Sequence, residues 1–251
     1  MHIQILQRGY FQIQVKGFTH PGRRKNNEDN YCILEFDGFN LLAVADGLGG
    51  YNAGEVASEM ALGVIGDIVR ELAGTIDEKK MLRIAIAKAN KTITELSGET
   101  LEYEGMSTTV VAALIKSNKV FIANVGDSRA YLINDVGIKR ITKDQSIVQL
   151  MLDKGKLDEE EAFRHPLKNM VLQVLGFKES VVPDLYELEL KIGDILLLCS
   201  DGLSGSIRDQ AIEEVIKSSD DLNSMSEGLI ATALDKGGTD NITVVLCRYN
   251  L

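Results

Sequence analysis

The stretch Val44-Ala45-Asp46-Gly47-Leu48-Gly49-Gly50-Tyr51-Asn52-Ala53-Gly54 follows an apolar run and leads into a helical pattern, the position of a phosphate-cradling loop in nucleotide-binding proteins. The known phosphate loops do not fit it. A dinucleotide fingerprint starts well at Gly47 and Gly49 but places Asn52 where its third glycine belongs. A Walker loop closes on Gly-Lys-Ser/Thr, and no lysine lies between Gly38 and Gly66. What the stretch holds instead is Asp46, a carboxylate directly after an apolar strand, where desolvation is costly without a cation or several donors.

Working outward, residues 31–36 and 39–45 flank an Asp37-Gly38 turn and predict a hairpin that delivers Asp46 at its end. Upstream, Phe11, Ile13 and Val15 alternate with polar residues as in a half-buried strand. Downstream, Val56, Met60, Val64 and Ile68 recur every four residues, which predicts a helix with that stripe inward. A second helix is expected over about 78–96, capped by Asp77. Strands at 109–115, 119–125, 130–133 and 138–141 read as a meander. A polar, helix-like stretch over 146–178, broken by Gly155 and Pro166, reads as an inserted surface flap. Strands at 185–190, 195–199 and 242–248 follow, with helices at 209–217 and 221–234 between the last two. The order predicts an α+β fold with mainly antiparallel sheets faced by helices.

At 251 residues and 45% apolar content, the chain can bury a large core, and with three prolines and no low-complexity segment it reads as one domain over 1–251. A net charge of −10 argues against nucleic acid or an anionic membrane as partner. The longest apolar runs are too short to span a bilayer, and the amino terminus lacks a signal-peptide pattern, so a cytoplasmic protein is expected. Cys32, Cys199 and Cys247 each sit in apolar runs without close spacing, as buried residues of a reducing compartment do.

Asp46 is not alone. Asp201 follows the strand 195–199, Asp127 follows 119–125, Asp240 precedes 242–248, and Glu28 and Asp29 precede the strand beginning at Tyr31. Five acidic segments at strand ends, if the fold brought them together, would repel one another unless hard divalent cations joined them. Five unrelated turns are the competing picture.

Six motifs in order carry a resemblance. Arg24-x-x-Asn27-Glu28-Asp29, Ala45-Asp46-Gly47-Leu48-Gly49-Gly50, Gly105-Met106-Ser107-Thr108-Thr109, Gly126-Asp127-Ser128-Arg129, Cys199-Ser200-Asp201-Gly202-Leu203 and Gly238-Thr239-Asp240-Asn241-Ile242-Thr243 resemble the metal-dependent protein phosphatases, the protein phosphatase 2C-like family, in its bacterial form. The resemblance implies a four-layer α-β-β-α sandwich and hydrolysis of phosphoserine and phosphothreonine in proteins by a hydroxide bridging two Mn²⁺ or Mg²⁺ ions. It implies that Asp46 bridges the ions, that Glu28 and the Gly47 carbonyl complete one, and that Asp201 and Asp240 hold the other. Asp29 would hydrogen-bond water on the metals, and Asp127 with Asp201 would hold a third, weaker ion. Arg24 matches the phosphate-binding arginine, although composition alone makes it a solvated member of a basic run with Arg23 and Lys25. Phosphorylated proteins, including a Ser/Thr kinase and its targets, are the implied partners of a monomeric enzyme.

The departures bear on proton transfer. Leu48 stands where eukaryotic relatives carry a histidine proposed as general acid, and His165 in the flap is a candidate for substrate contact or proton donation. Ser107 and Gln145 replace a glycine and a histidine common in the family, and the segment Thr19-His20-Pro21-Gly22 is one residue short. The thiol-phosphatase loop Cys-x5-Arg is absent from the sequence. A regulatory module of the same fold that binds phosphoproteins with little turnover is the alternative, and a nucleotide-binding protein using 47–54 is disfavoured by the failed fingerprints.

Overall fold

The computed structural model describes residues 4–8, 11–36, 38–49, 53–99 and 101–250; Asp37 of the expected hairpin turn and Gly50, Tyr51 and Asn52 of the glycine-rich loop lie outside them. In chain order the strands are β1 (Gln4–Arg8), β2 (Phe11–His20), β3 (Asp29–Phe36), β4 (Phe39–Leu48), β5 (Ser107–Thr108) and β6 (Val110–Lys116). There follow β7 (Lys119–Val125), β8 (Arg129–Asn134), β9 (Gly137–Arg140), β10 (Asp184–Glu189), β11 (Ile195–Cys199) and β12 (Ile242–Asn250). Helices α1 (Ala53–Leu72) and α2 (Glu78–Ser97) precede β5; α3 (Ile147–Asp153) and α4 (Glu159–Arg164) lie between β9 and β10. Helices α5 (Asp201–Ser204), α6 (Asp209–Lys217) and α7 (Leu222–Asp235) lie between β11 and β12.

One antiparallel sheet has the order β1-β2-β12-β11-β8-β9 and the other β10-β7-β6-β4-β3, with β5 paired to β4. Central strands are apolar on both faces, which is why they read as continuous hydrophobic runs. On β4, Leu41, Ala43 and Ala45 pack against α1 and α2, while Leu42 and Val44 face the other sheet. On β12, Val245, Cys247 and Tyr249 face that inter-sheet core and Val244 and Leu246 pack beneath α6 and α7. Three apolar seams thus separate four layers, and the architecture is the expected α-β-β-α sandwich.

Several local expectations change. The four strands 109–141 are not one meander: β6 pairs with β7 in one sheet and β8 with β9 in the other. The chain crosses between sheets at Gly126-Asp127-Ser128, whose apolar flanks give no hint of which sheet each strand joins. The stripe Val56, Met60, Val64 and Ile68 is only the partly buried flank of α1. Its fully covered face is Ala57, Ala61, Ile65 and Val69, where the two alanines let the sheet and α2 approach. The helix-like reading of 146–178 holds only to Arg164, after which Pro166 and backbone pairing to loops replace helix: Ile147 N donates to Met170 O at 3.0 Å and Leu172 N to Gln145 O at 2.7 Å. Asp77 caps α2 as expected, accepting from Lys80 N at 2.9 Å. The edge strand β1 was not anticipated.

The crossing is tight. Gly126 has φ +105°, and a Cβ there would stand 2.6 Å from Thr109 Cγ2. Gly126→Ala is expected to destabilise by about 1–3 kcal/mol, lowering Tm by several degrees in thermal unfolding. An unchanged Tm would mean that the crossing carries no such constraint.

Candidate metal centre

Strand polarity brings the five acidic segments to one end of the sandwich. Asp29 and Asp46 are register partners on β3 and β4, and Asp127 sits in the sheet-to-sheet crossing. Asp201 opens α5 just after β11, and Asp240 stands two residues before β12. A cavity of about 450 Å³ is lined by Arg24, Glu28, Asp46, Gly47, Asp127, Asp201 and Asp240. The picture of five unrelated turns is thereby excluded.

Neutral residues within the motifs hold these groups in place. Thr108 Oγ1 and Thr109 N both donate to Asp46 O at 2.9 Å, and Asp46 N donates to Thr109 Oγ1 at 3.2 Å. Gly47 N donates to Glu28 O at 3.2 Å, which also accepts from Ser58 Oγ at 2.7 Å. Asn241 Oδ1 accepts from Glu28 N at 2.8 Å. Ser200 stands at the N-cap of α5, yet its hydroxyl donates to Asp29 Oδ2 at 2.7 Å and accepts from Thr243 N at 3.0 Å. Sequence reasoning gave Thr109, Ser200 and Asn241 no role; Ser200 and Asn241 stand beside Asp201 and Asp240, and Thr109 closes one of the six motifs. Asn169 and Val171 also line the cavity, and no sequence feature marked them.

Asp29 is buried and its pKa is raised to about 7, chiefly by loss of water, against hydrogen bonds from Ser200 and Thr243. Burial lifts Asp46 well above the usual carboxylate range, with Asp29, Asp201 and Asp127 adding repulsion. Although Asp46 keeps part of its surface open to the cavity, protein atoms rather than water surround the carboxyl. Asp127 is raised well above the carboxylate range by burial and by Asp201 and Asp144, partly offset by Arg129. Asp201 is raised by burial and Asp240, with the Asp46 carboxyl close beside it. Glu28 is raised by burial against the opposing pull of Arg24.

Two predicted residues stand apart in their contacts. Arg24 donates from Nη2 to Asp240 Oδ2 at 3.0 Å and from Nε to Thr239 O at 3.1 Å, so its fork rests on a proposed metal ligand. His165 closes α4 away from the cavity lining, and its Nδ1 accepts from Leu167 N at 3.1 Å. Among the described residues no three His, Cys, Asp or Glu side chains are gathered tightly enough to hold an ion alone. The fit is to small hard cations that keep several waters and take one or two carboxylates each, and buried, mutually repelling oxygen donors match that demand.

The sequence model of protein phosphatase 2C matches residues 16–237. The chain belongs to the protein phosphatase 2C family. It is 39% identical over 238 residues to the serine/threonine phosphatase stp of Listeria welshimeri, covering 93% of this chain and 94% of that relative. Among solved structures, serine/threonine phosphatase Stp1 from Staphylococcus aureus matches with a TM-score of 0.89 and 35% identity, over 99% of this chain and 98% of that one. The catalytic domain of serine threonine protein phosphatase PstP in complex with two manganese ions matches with a TM-score of 0.85 and 33% identity, over 96% of this chain and 100% of that one.

The raised Asp29 pKa makes this family member's stability depend on pH. Below its ordinary pKa of 3.8 the carboxyl is protonated folded or unfolded; between there and about 7 only the unfolded chain loses its proton, so stability falls as pH rises. In chelator, Tm is expected to fall between about pH 5 and pH 7.5, with a shallower fall in Asp29→Asn. Equal slopes for both proteins would contradict the assignment.

Proposed function

We propose that the chain hydrolyses phosphoserine and phosphothreonine in proteins with two tightly held Mn²⁺ or Mg²⁺ ions and a weaker third. What carries the reading is the convergence of Glu28, Asp46, Asp127, Asp201 and Asp240 on one cavity, with the proton affinities of Glu28, Asp46, Asp127 and Asp201 raised chiefly by burial. The family match and relatives named serine/threonine phosphatases support it, as does a neighbour solved with two manganese ions. When bound, divalent ions supply hydroxide near neutral pH and offset charge on the phosphoryl oxygens.

The chain's own residues have the following roles. Asp46, Glu28 and the Gly47 carbonyl with Asp201 and Asp240 would hold the two tight ions, Asp46 being shared between them, and Asp127 with Asp201 would hold the third. Arg24 exchanges Asp240 for two phosphoryl oxygens, which its planar fork matches. Asp29, held by Ser200, orients water at the floor of the site. A protein nucleophile is not used: Cys199 is buried, and burial pushes the Cys32 and Cys199 thiols up to about 12. Leu48 offers no proton to a leaving group, and His165, whose Nδ1 accepts from Leu167 N, stands outside the cavity lining.

The flap over 146–178 shapes the choice of protein substrate, and a kinase and its targets are the natural partners. We read the chain as one domain and a monomer of the cytoplasm. Among the described residues no helix is long and apolar enough to cross a membrane. The alternative of a binding module without turnover has no observation in its favour, since each carboxylate proposed to hold metal lines the cavity.

Turnover of p-nitrophenyl phosphate is expected with Mn²⁺ or Mg²⁺, to vanish in chelator and to return with added metal. Persistence after verified metal removal would overturn the proposal. Among variants, Asp46→Asn is expected to abolish turnover and Asp240→Asn to be nearly as severe. Asp127→Ala should keep fold and both tight ions while kcat falls on the order of 10- to 100-fold. Loss of both tight ions in Asp127→Ala, or near-normal kcat in Asp46→Asn, would refute these roles.

A further inference from the structure

The loop joining β2 to β3 carries Arg23, Arg24 and Lys25 in succession, in a chain with 37 acidic and 27 basic residues. Its backbone is tied down. Arg23 N donates to Gly238 O at 2.8 Å and Arg24 N to Pro21 O at 3.1 Å, while Asn241 Nδ2 donates to the carbonyls of Pro21 and Asn26 at 2.9 Å each. Gly22 turns with φ +60°, and a Cβ there would stand 1.9 Å from Asp240 O, so the loop lies pressed against the segment that enters β12. Three cations are therefore presented from a fixed backbone at the cavity mouth.

Only the middle one is engaged. Arg24 pairs with Asp240, whereas among the described residues neither Arg23 nor Lys25 has an ion-pair partner. Both are exposed, and Lys25 lines the cavity that holds the carboxylates. From the flap, the cavity receives Asn169 and Val171, both uncharged. The net charge of −10 repels an anionic peptide at long range, and an unpaired positive pair beside the site is the local feature that opposes this. A fixed backbone leaves only side-chain ordering to be lost when an anion binds.

We propose that Arg23 and Lys25 form a subsite for an anionic group, a carboxylate or a second phosphate, within a few residues of the phosphorylated side chain. This rests on the phosphatase reading and adds the substrate class: phosphoproteins whose modified residue lies in an acidic or multiply phosphorylated segment. The pair acts through substrate association, so its effect falls on KM and weakens with salt.

The experiment compares kcat/KM of the purified protein with Mn²⁺ on four phosphothreonine peptides that differ only in flanks: neutral, lysine-containing, aspartate-containing and carrying a second phosphoserine. The expected order places both anionic flanks above neutral and lysine below, by roughly 3- to 20-fold at low salt, mostly in KM. A gain for one anionic flank alone identifies that group as the source. In Arg23→Glu/Lys25→Glu and in Arg23→Gln/Lys25→Gln, each checked for native Tm, the anionic preference is expected to reverse or disappear respectively. A flat series in the wild type, or a preference that survives both double variants, overturns the inference. No turnover of any peptide would instead defeat the phosphatase reading itself.

Discussion

Four carboxyl groups, Asp29, Asp46, Asp127 and Asp201, share one desolvated corner where the ends of two sheets meet, and Asp46 and Asp201 lie close enough to hydrogen-bond. Carboxyl groups so close together and so poorly hydrated repel one another, and divalent cations held there would offset that repulsion. Each tie described around the site serves this constraint. Thr108 and Thr109 clamp the Asp46 backbone, Ser200 donates its hydroxyl to the Asp29 carboxyl, and Arg129 grips Asp144 at 2.7 Å.

The sandwich makes the convergence possible. Strands buried on both faces have no freedom to slip by one residue without exchanging two packed faces, so their ends are set accurately. Asp29 faces Asp46 because the β3–β4 hairpin fixes that register, and Asp127 reaches the same corner because Gly126 lets the chain leave one sheet for the other. Rigid strands thus position the acidic groups, while α3 and α4 ride on the longer connection between β9 and β10.

Much of this was legible in the chain. Continuous apolar runs such as 195–199 and 119–125, each followed by Asp beside Gly or Ser, placed the acidic groups at strand ends, and the structure gathers them. Which sheet a strand joins was not legible, because β7 and β8 present the same kind of apolar surface to different partners. The face of α1 was misjudged for a related reason: alanines pack where a helix is pressed between a sheet and a second helix, and the eye is drawn to larger residues at the flank. Hydrogen-bonding residues such as Asn241 lay in view but without a visible task, since their partners are distant in sequence: Pro21 is 220 positions away. The engagement of Arg24 by Asp240 has the same origin, a long-range contact that local pattern does not encode.

The most direct test of the account is the number of protons released when Mn²⁺ binds, measured by titration calorimetry near pH 6 in buffers of different ionisation enthalpy. If buried carboxyls hold protons that metal displaces, binding is accompanied by proton release, and Asp46→Asn loses both the release and the tight sites. Tight binding without proton release, or an Asp46→Asn variant that binds Mn²⁺ as the wild type does, would contradict it.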